Sequence, residues 1–357
     1  MGTVQVVPAR HLSKEHLSIW SALQSNNPHL DSAFFAPDLT GLVASVRDDV
    51  EVAVMSEGNE MTGFFPYQRS AGGAARPVAG RLTEFHGPIT RPDYVWEPRE
   101  LLRRAGLRAW YFDHLPPSQP SYLAHSWSAV SSPHADLSGG FEAYEGTLKE
   151  RGGTPSQVRR KERKLAREVG PVRFELHTAD RRAFESLLAW KTDQYERAGR
   201  LQIFSYPWTV RLLDAVRSYQ SDRFAGVLSA LYAGDRLAAV HLGLRNRNAL
   251  HIWFPTYART LEHYSPGLIL LLHLAEHAAA AGIRRIDFGP GEERYKQQFK
   301  SGDTRLLVGG VDLRLGRASL RKGWYSLNQW IRRSRYREYL EIPINATRRY
   351  RQRLAFR

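Results

Sequence analysis

Residues 251–299, HIWFPTYARTLEHYSPGLILLLHLAEHAAAAGIRRIDFGPGEERYKQQF, decide how this chain folds. The stretch opens on an aromatic strand candidate, passes through a short loop to Tyr264-Ser265-Pro266-Gly267, and continues as a strongly apolar helix that Gly282 closes. Proline suits the first helical position, where its missing N–H has no partner to lose, and glycine suits the exit, where the backbone turns left-handed. Behind the helix comes a further strand, IRRIDFG (283–289). Two strand candidates, FAGVLSALYAG (224–234) and DRLAAVHLGLRN (235–246), precede NALHIWFPTYA (248–258). Gly234, Asp235, Asn246 and Asn248 at the joints make the three an antiparallel meander. The order is three strands, a loop, a helix and a strand.

Working outward, VRFELHT (172–178) reads as a strand and 180–199 as a helix capped by Asp180 and stopped by Gly199. Before them, 141–170 carries a GGTP break and a long basic helix with Val158, Leu165 and Val169 as its apolar positions, its charged face solvated. Residues 116–140 are rich in Pro, Ser and Gly and read as a domain boundary. The region from Val4 to Pro117 mixes a helix (HLSKEHLSIWSAL, 11–23) with a hairpin over 50–70 that turns at EGNE and ends at FFPYQ, then a Gly/Ala-rich mobile loop, SAGGAARPVAG (70–80). The expected class is α/β (α+β), with domains at 1–125 and 140–316 and a basic helical tail at 317–357.

The chain has 357 residues, 42% of them hydrophobic, which is enough for two ordinary domains with their own cores. No cysteine is present, so disulfides, thiolate metal sites and a cysteine nucleophile are excluded. No run of eighteen apolar residues and no secretory leader occurs, so a cytoplasmic protein without a transmembrane segment is expected. The net charge of +15 is uneven: residues 1–150 carry −5 and residues 151–357 carry +20. Half of that excess lies in 317–357, where Arg332, Arg333, Arg335 and Arg337 cluster. Such a patch could hold tRNA, another polyanion or an anionic membrane face, or be a solubilising tail.

The strand order resembles the core of the GNAT acyltransferases over residues 140–310. More narrowly, the aromatic strand end, the Tyr264-Ser265-Pro266-Gly267 helix start, and Asp287-Phe288-Gly289 leading to Tyr295-Lys296 resemble the CelD or BioF2-like acetyltransferases, which are related to the FemAB peptidyltransferases. The resemblance implies two tandem GNAT-like acyltransferase domains, the second being the better match and the first a diverged, non-catalytic copy. It implies an N-acyltransferase that takes an acyl group from acyl-CoA to the amine of a sugar or metabolite. An aminoacyl-tRNA donor, as in the FemAB proteins, is the alternative, and a non-catalytic polyanion-binding protein is a second.

Within that frame each residue has a chemical reason. A helix N-terminus presents free N–H groups and the positive end of its dipole, so Tyr264, Ser265, Gly267 and Leu268 suit a pyrophosphate, with Arg259 shortly before them; an SPG helix start is equally a plain cap. The strand 249–257 and the strand 283–288 would separate to receive the acyl-pantetheine beside Trp253 and Phe254, with Pro255 marking a bulge whose freed N–H faces the oxyanion. Those aromatic residues could also simply pack a core. For the base, Asp287 is favoured over His251 and His241, although an Asp before Gly289-Pro290-Gly291 can merely cap a turn. Tyr295 suits protonation of the leaving group and Lys296 an anionic substrate group, while Lys191, with Gln194 and Arg197 at helical spacing, could line the acceptor side. No grouping has metal-ligand spacing, so no metal is expected.

Overall fold

In the computed structural model, residues 2–333 are described apart from 93, 95, 118 and 153, and of residues 332 and 333 only the backbone. Thirteen strands among them form one mixed sheet: β1 (Thr3–Pro8), β2 (Val50–Glu57), β3 (Glu60–Arg69), β4 (Ala74–Arg76), β5 (Ile89–Thr90), β6 (Ala109–Leu115), β7 (Ser126–Asp136), β8 (Val172–Glu175), β9 (Ala225–Ala233), β10 (Arg236–Arg245), β11 (Ala249–Tyr257), β12 (Arg285–Asp287) and β13 (Gly302–Asp312). Their spatial order is β1-β2-β3-β4-β6-β13-β7-β12-β11-β10-β9-β8, with β5 beside β3. The helices are α1 (Lys14–Ser25), α2 (Pro37–Ala44), α3 (Pro98–Arg104), α4 (Gly140–Glu150), α5 (Thr154–Glu168), α6 (Arg181–Arg197), α7 (Pro207–Ser218), α8 (Pro266–Ala280), α9 (Arg294–Phe299) and α10 (Arg317–Arg333).

The strand pairing repeats itself. Running in from one edge, β1, β2, β3 and β4 are antiparallel neighbours, β4 then pairs in parallel with β6, and β6 is antiparallel to β13. From the other edge, β8, β9, β10 and β11 are antiparallel, β11 is parallel to β12, and β12 is antiparallel to β7. The two series meet where β13 and β7 pair along most of their lengths. Each series also places two helices between its first two strands, α1 and α2 in one and α6 and α7 in the other. No sequence periodicity announces this duplication, because a fold can repeat its hydrogen-bonding pattern while the side chains diverge.

Local chemistry accounts for the elements read from sequence. Ser13 caps α1 through a reciprocal pair with His16, and the Asp180 carboxylate accepts the Arg182 N–H at 2.8 Å to start α6. Gly199 and Gly282 leave α6 and α8 with φ of +59° and +82°. Three expectations are corrected. Pro66 does not end its strand: β3 runs on to Arg69, and the proline falls in the gap between β5, which pairs Gly63 and Phe64, and β4, which pairs Gln68 and Arg69. The Gly/Ala-rich stretch contains β4, and the Pro/Ser-rich stretch contains the eleven-residue β7, paired on both edges. Ladder partners on each side override weak strand propensity. Of the tail, α10 is helical to Arg333, while Arg335, Arg337 and the rest of 334–357, with the side chains of Arg332 and Arg333, lie outside the described residues.

One apolar core runs under both halves, from Trp20, Phe34 and Phe64 to Leu212, Leu228 and Phe254. Two separate cores fill the opposite face, one around α8 and one around Trp110. Trp20 is fully buried, stacks on Phe64 at 5.1 Å and donates from Nε1 to the Phe35 carbonyl at 2.8 Å. Trp20→Ala is expected to lower unfolding stability by about 3–5 kcal/mol in a denaturant titration, through lost burial, an open cavity and an orphaned carbonyl.

Candidate active site

The parallel ladder between β11 and β12 has three rungs, from Ala249↔Arg285 to His251↔Asp287. Beyond His251, β11 continues to Tyr257 while, among the described residues, no strand pairs its open edge. On the closed edge Leu242 faces Phe254 and Gly243 faces Ile252, so Trp253 is the extra residue of a β-bulge. The bulge therefore lies at Trp253, not at Pro255, which pairs with His241. Gly243 explains the position: a Cβ there would run into the His241 ring and the His251 carbonyl. The bulge turns Trp253 and Phe254 into the shared core, where Phe34 packs edge-on against His251 and Trp253 at 4.8 and 6.0 Å.

At the far end of the opening stands the start of α8. Ser265 adopts a left-handed conformation (φ +55°, ψ +51°), and its hydroxyl does not cap the helix but accepts from Lys161 Nζ at 2.6 Å. Gly267 lets the Tyr257 ring lie across the first turn, where a Cβ would stand 3.2 Å from it. Tyr264 is buried and donates its hydroxyl to Glu168 at 2.9 Å, and Lys164 lies 5.7 Å from its ring. The basic helix α5 thus rests one part of its charged face on this helix start instead of presenting all of it to water. Leu268 is half-buried beside it, and Arg259 is exposed on the preceding turn, within electrostatic reach of Asp193 on α6.

The near end is closed by the first half of the chain. Trp253 Nε1 donates to the Leu82 carbonyl at 2.8 Å, which pins the segment after β4 over the opening. Glu84 follows on that segment and meets His251 Nε2 at 2.6 Å. Gly289, at φ +72°, passes so close to the Glu84 carboxylate that a Cβ would collide with it. From the turn after β12, Lys296 Nζ donates to the carbonyls of Gly289 and Pro290 at 3.2 and 2.9 Å and lies 3.2 Å from Glu293. Burial, then Glu293 and Glu84, push the Tyr295 hydroxyl pKa far up, so it stays protonated. Across from it, Lys191 and Arg200 each lie 5.9 Å from the Tyr195 ring. Arg81, itself exposed, lies within electrostatic reach of Asp113, Tyr195 and Arg200.

The expected site residues separate into two groups. His251, Tyr295, Lys296 and Lys191 meet around this cleft. Asp287, the favoured base, does not: it is fully buried and ion-paired to Arg285 at 3.1 Å, whose guanidinium also donates to the Asp31 carbonyl at 2.6 Å. His241 is likewise enclosed, and burial, then His251 and Lys191, bring its pKa down to about 3, so it is neutral at ordinary pH. Arg81, Glu84, Tyr195 and Arg200 also belong to the cleft, and no local signal singles them out: Glu84 stands between Thr83 and Phe85 in the mixed stretch RLTEFH (81–86). Among the described residues, two groupings have ligand atoms close enough for a metal ion, His86 with Asp113 and His114, and His273 with Glu276 and His277. Each has a packing role: His86 accepts the Asp113 N–H at 3.3 Å, and His273 meets Glu162 at 2.7 Å and stacks on Phe174.

Lys191 is 7% exposed with Gln194 Oε1 at 3.0 Å as its hydrogen-bond partner, and burial, helped by Arg200, lowers its pKa from 10.5 to about 7. A lysine whose folded pKa is depressed binds fewer protons folded than unfolded between the two values, so its contribution makes stability rise with pH from about 7 to 10.5. Lys191→Met is expected to raise stability near about pH 6 by roughly 1–4 kcal/mol and to flatten that rise, read by unfolding titrations across pH.

The comparisons with known proteins agree with this geometry. The family model of an acetyltransferase (GNAT) domain matches residues 153–297. Among solved structures, FemX superposes with a TM-score of 0.60 at 10% identity, covering 89% of this chain and 99% of its own. The C-terminal domain of a provisionally assigned lysylphosphatidylglycerol synthetase from Agrobacterium fabrum gives 0.52 at 16%, covering 88% and 97%. A tandem GNAT protein from the clavulanic acid biosynthesis pathway gives 0.49 at 12%, covering 87% and 98%. No curated protein matches the sequence significantly. The match makes the chain an acyltransferase with a GNAT-type acetyltransferase domain over residues 153–297, within which the strands β11 and β12 part.

Proposed function

We propose that this acyltransferase moves an acyl group from acyl-CoA to a small-molecule amine by direct attack, with no covalent enzyme intermediate. The observation that carries the reading is the opening between β11 and β12, which runs from the Glu84–His251 pair to the start of α8. The donor residues fit their ligand. The first-turn N–H groups of α8 and the Lys161 ammonium offer positive charge to a pyrophosphate, and Gly267 keeps the approach clear of a side chain. Trp253 and Phe254, at the bulge, flank the thioester, where a strand N–H released from its ladder can face the developing oxyanion.

In this reading the amine forms its C–N bond as the C–S bond of the thioester breaks. The amine proton passes to Glu84, which His251 holds in place, and from there to the departing thiolate, while the Tyr295 hydroxyl, kept protonated, donates a hydrogen bond to that sulfur. Asp287 becomes a positioning residue that holds Arg285 and the end of β12. Arg81, Lys191, Arg200 and Lys296 outnumber the acids around the cleft, so the acceptor, an amino sugar or metabolite amine, carries an anionic group. The halves at 1–125 and 140–316 exchange strands at their junction, since β13 pairs with β6 and β7 with β12, and in this reading the first half does more than brace the second: it supplies Arg81 and Glu84.

A second reading keeps the fold and takes aminoacyl-tRNA as donor. It rests on the cations of α5, of which Lys161, Lys164 and Arg167 lie beside the α8 start, and on the FemX likeness in fold. A non-catalytic polyanion binder gives way to the acetyltransferase domain match.

Isothermal titration with acetyl-CoA and longer acyl-CoA donors is expected to give binding that Gly267→Glu abolishes and Glu84→Gln leaves intact. Turnover of an accepted amine by Glu84→Gln should fall by roughly 100-fold or more at unchanged donor affinity. Wild-type protein that binds no acyl-CoA at any chain length sinks the donor assignment and turns the test to aminoacyl-tRNA.

A further inference from the structure

Helix α10 takes no part in the cleft. One side of it is fastened to the sheet: the Arg321 guanidinium lies 3.9 Å from the Tyr111 ring and the Tyr325 ring 6.4 Å from Trp127. A different side carries Leu320, Trp324, Leu327 and Trp330, spaced so that they form one stripe along the helix. They are 73%, 48%, 46% and 61% exposed, and Leu315, just before the helix, is 98% exposed. These five are most of the large apolar side chains that the described chain leaves in water, four of them on this one helix. From 317 to 333 there is no acid; Arg317 stands beside the stripe, Arg321 lies on the fastened side and Lys322 further round the helix.

We propose that α10 is an in-plane anchor that seats this acyltransferase on an anionic lipid surface. Leucine and tryptophan on one stripe with arginine and lysine elsewhere on the same helix is the chemistry of a helix lying at the headgroup level, where indole rings favour the interface and long basic side chains reach phosphates. No described helix is long and apolar enough to cross a membrane, so this one lies on the surface. Charge selects the occupant. A second copy docked on the same face would set one acid-free cationic helix against another, and residues 334–357 add seven arginines against Glu338 and Glu341. A polynucleotide would meet the cations but leave the leucine and tryptophan stripe in water.

The test is flotation of the full chain with vesicles of phosphatidylcholine alone and of phosphatidylcholine mixed with phosphatidylglycerol. The protein is expected to float with the anionic vesicles, to stay behind with the neutral ones, and to be released by salt. Trp324→Ser with Trp330→Ser should weaken partitioning by roughly ten-fold or more at an unchanged unfolding midpoint, and Arg317→Glu with Lys322→Glu should weaken it with the stripe intact. Three results overturn the proposal: wild type that does not float, a tryptophan variant that floats as well as wild type, or a wild-type dimer in solution that the tryptophan variant converts to monomer.

Discussion

The parallel ladder of β11 and β12 ends after three rungs, and the rest of the site depends on that ending. Two adjacent strands that stay paired leave no room for a substrate, whereas strands that part expose a row of backbone polar groups that need partners. Here the parting is fixed from several sides. Arg285 holds Asp287 and reaches the Asp31 carbonyl, Trp253 bulges out and binds the Leu82 carbonyl, and Gly289 turns the chain away beside Glu84. Each of these contacts ties the second half of the chain to the first.

That interlock explains how the halves divide the chemistry. The sheet passes from one to the other through β13 and β7, and one core runs beneath both, so the segment after β4 is held rigidly over the opening. A base placed by such a segment keeps its geometry without relying on a loop. Polar groups that are costly to bury find partners at the seam, Glu84 with His251 and Lys296 with two carbonyls and Glu293, while burial of Lys191 beside Gln194 holds its pKa down to about 7.

The positive charge of the second half likewise resolves into separate tasks. Part of α5 lies against the start of α8 through Lys161 and Lys164, Arg200 and Lys191 face the seam, and the cations of α10 share a helix with an exposed apolar stripe. Net charge on its own could not distinguish these, since Lys161 and Arg317 carry the same charge and differ only in what the fold sets beside them.

What the sequence determined by itself was local. Period-two apolar runs separated by Gly234-Asp235 and by Asn246 and Asn248 defined the meander, Pro266 and Gly282 bounded α8, and the Asp180 cap started α6, because each of these signals acts over a few residues. Those signals did not bring His251, Tyr295 and Lys296 together; the resemblance singled out Tyr295 and Lys296. What only the tertiary structure decided were the partners distant in sequence. Glu84 reaches His251 across 167 positions, β13 inserts beside β6, and β7 forms in a stretch that reads as a linker because its stability comes from ladders on both edges. Asp287 had the right residue type at the right strand end, yet its carboxylate belongs to Arg285, two residues earlier on the same face; whether a charge is free or already paired is set by burial and neighbours, which side-chain type and spacing do not encode.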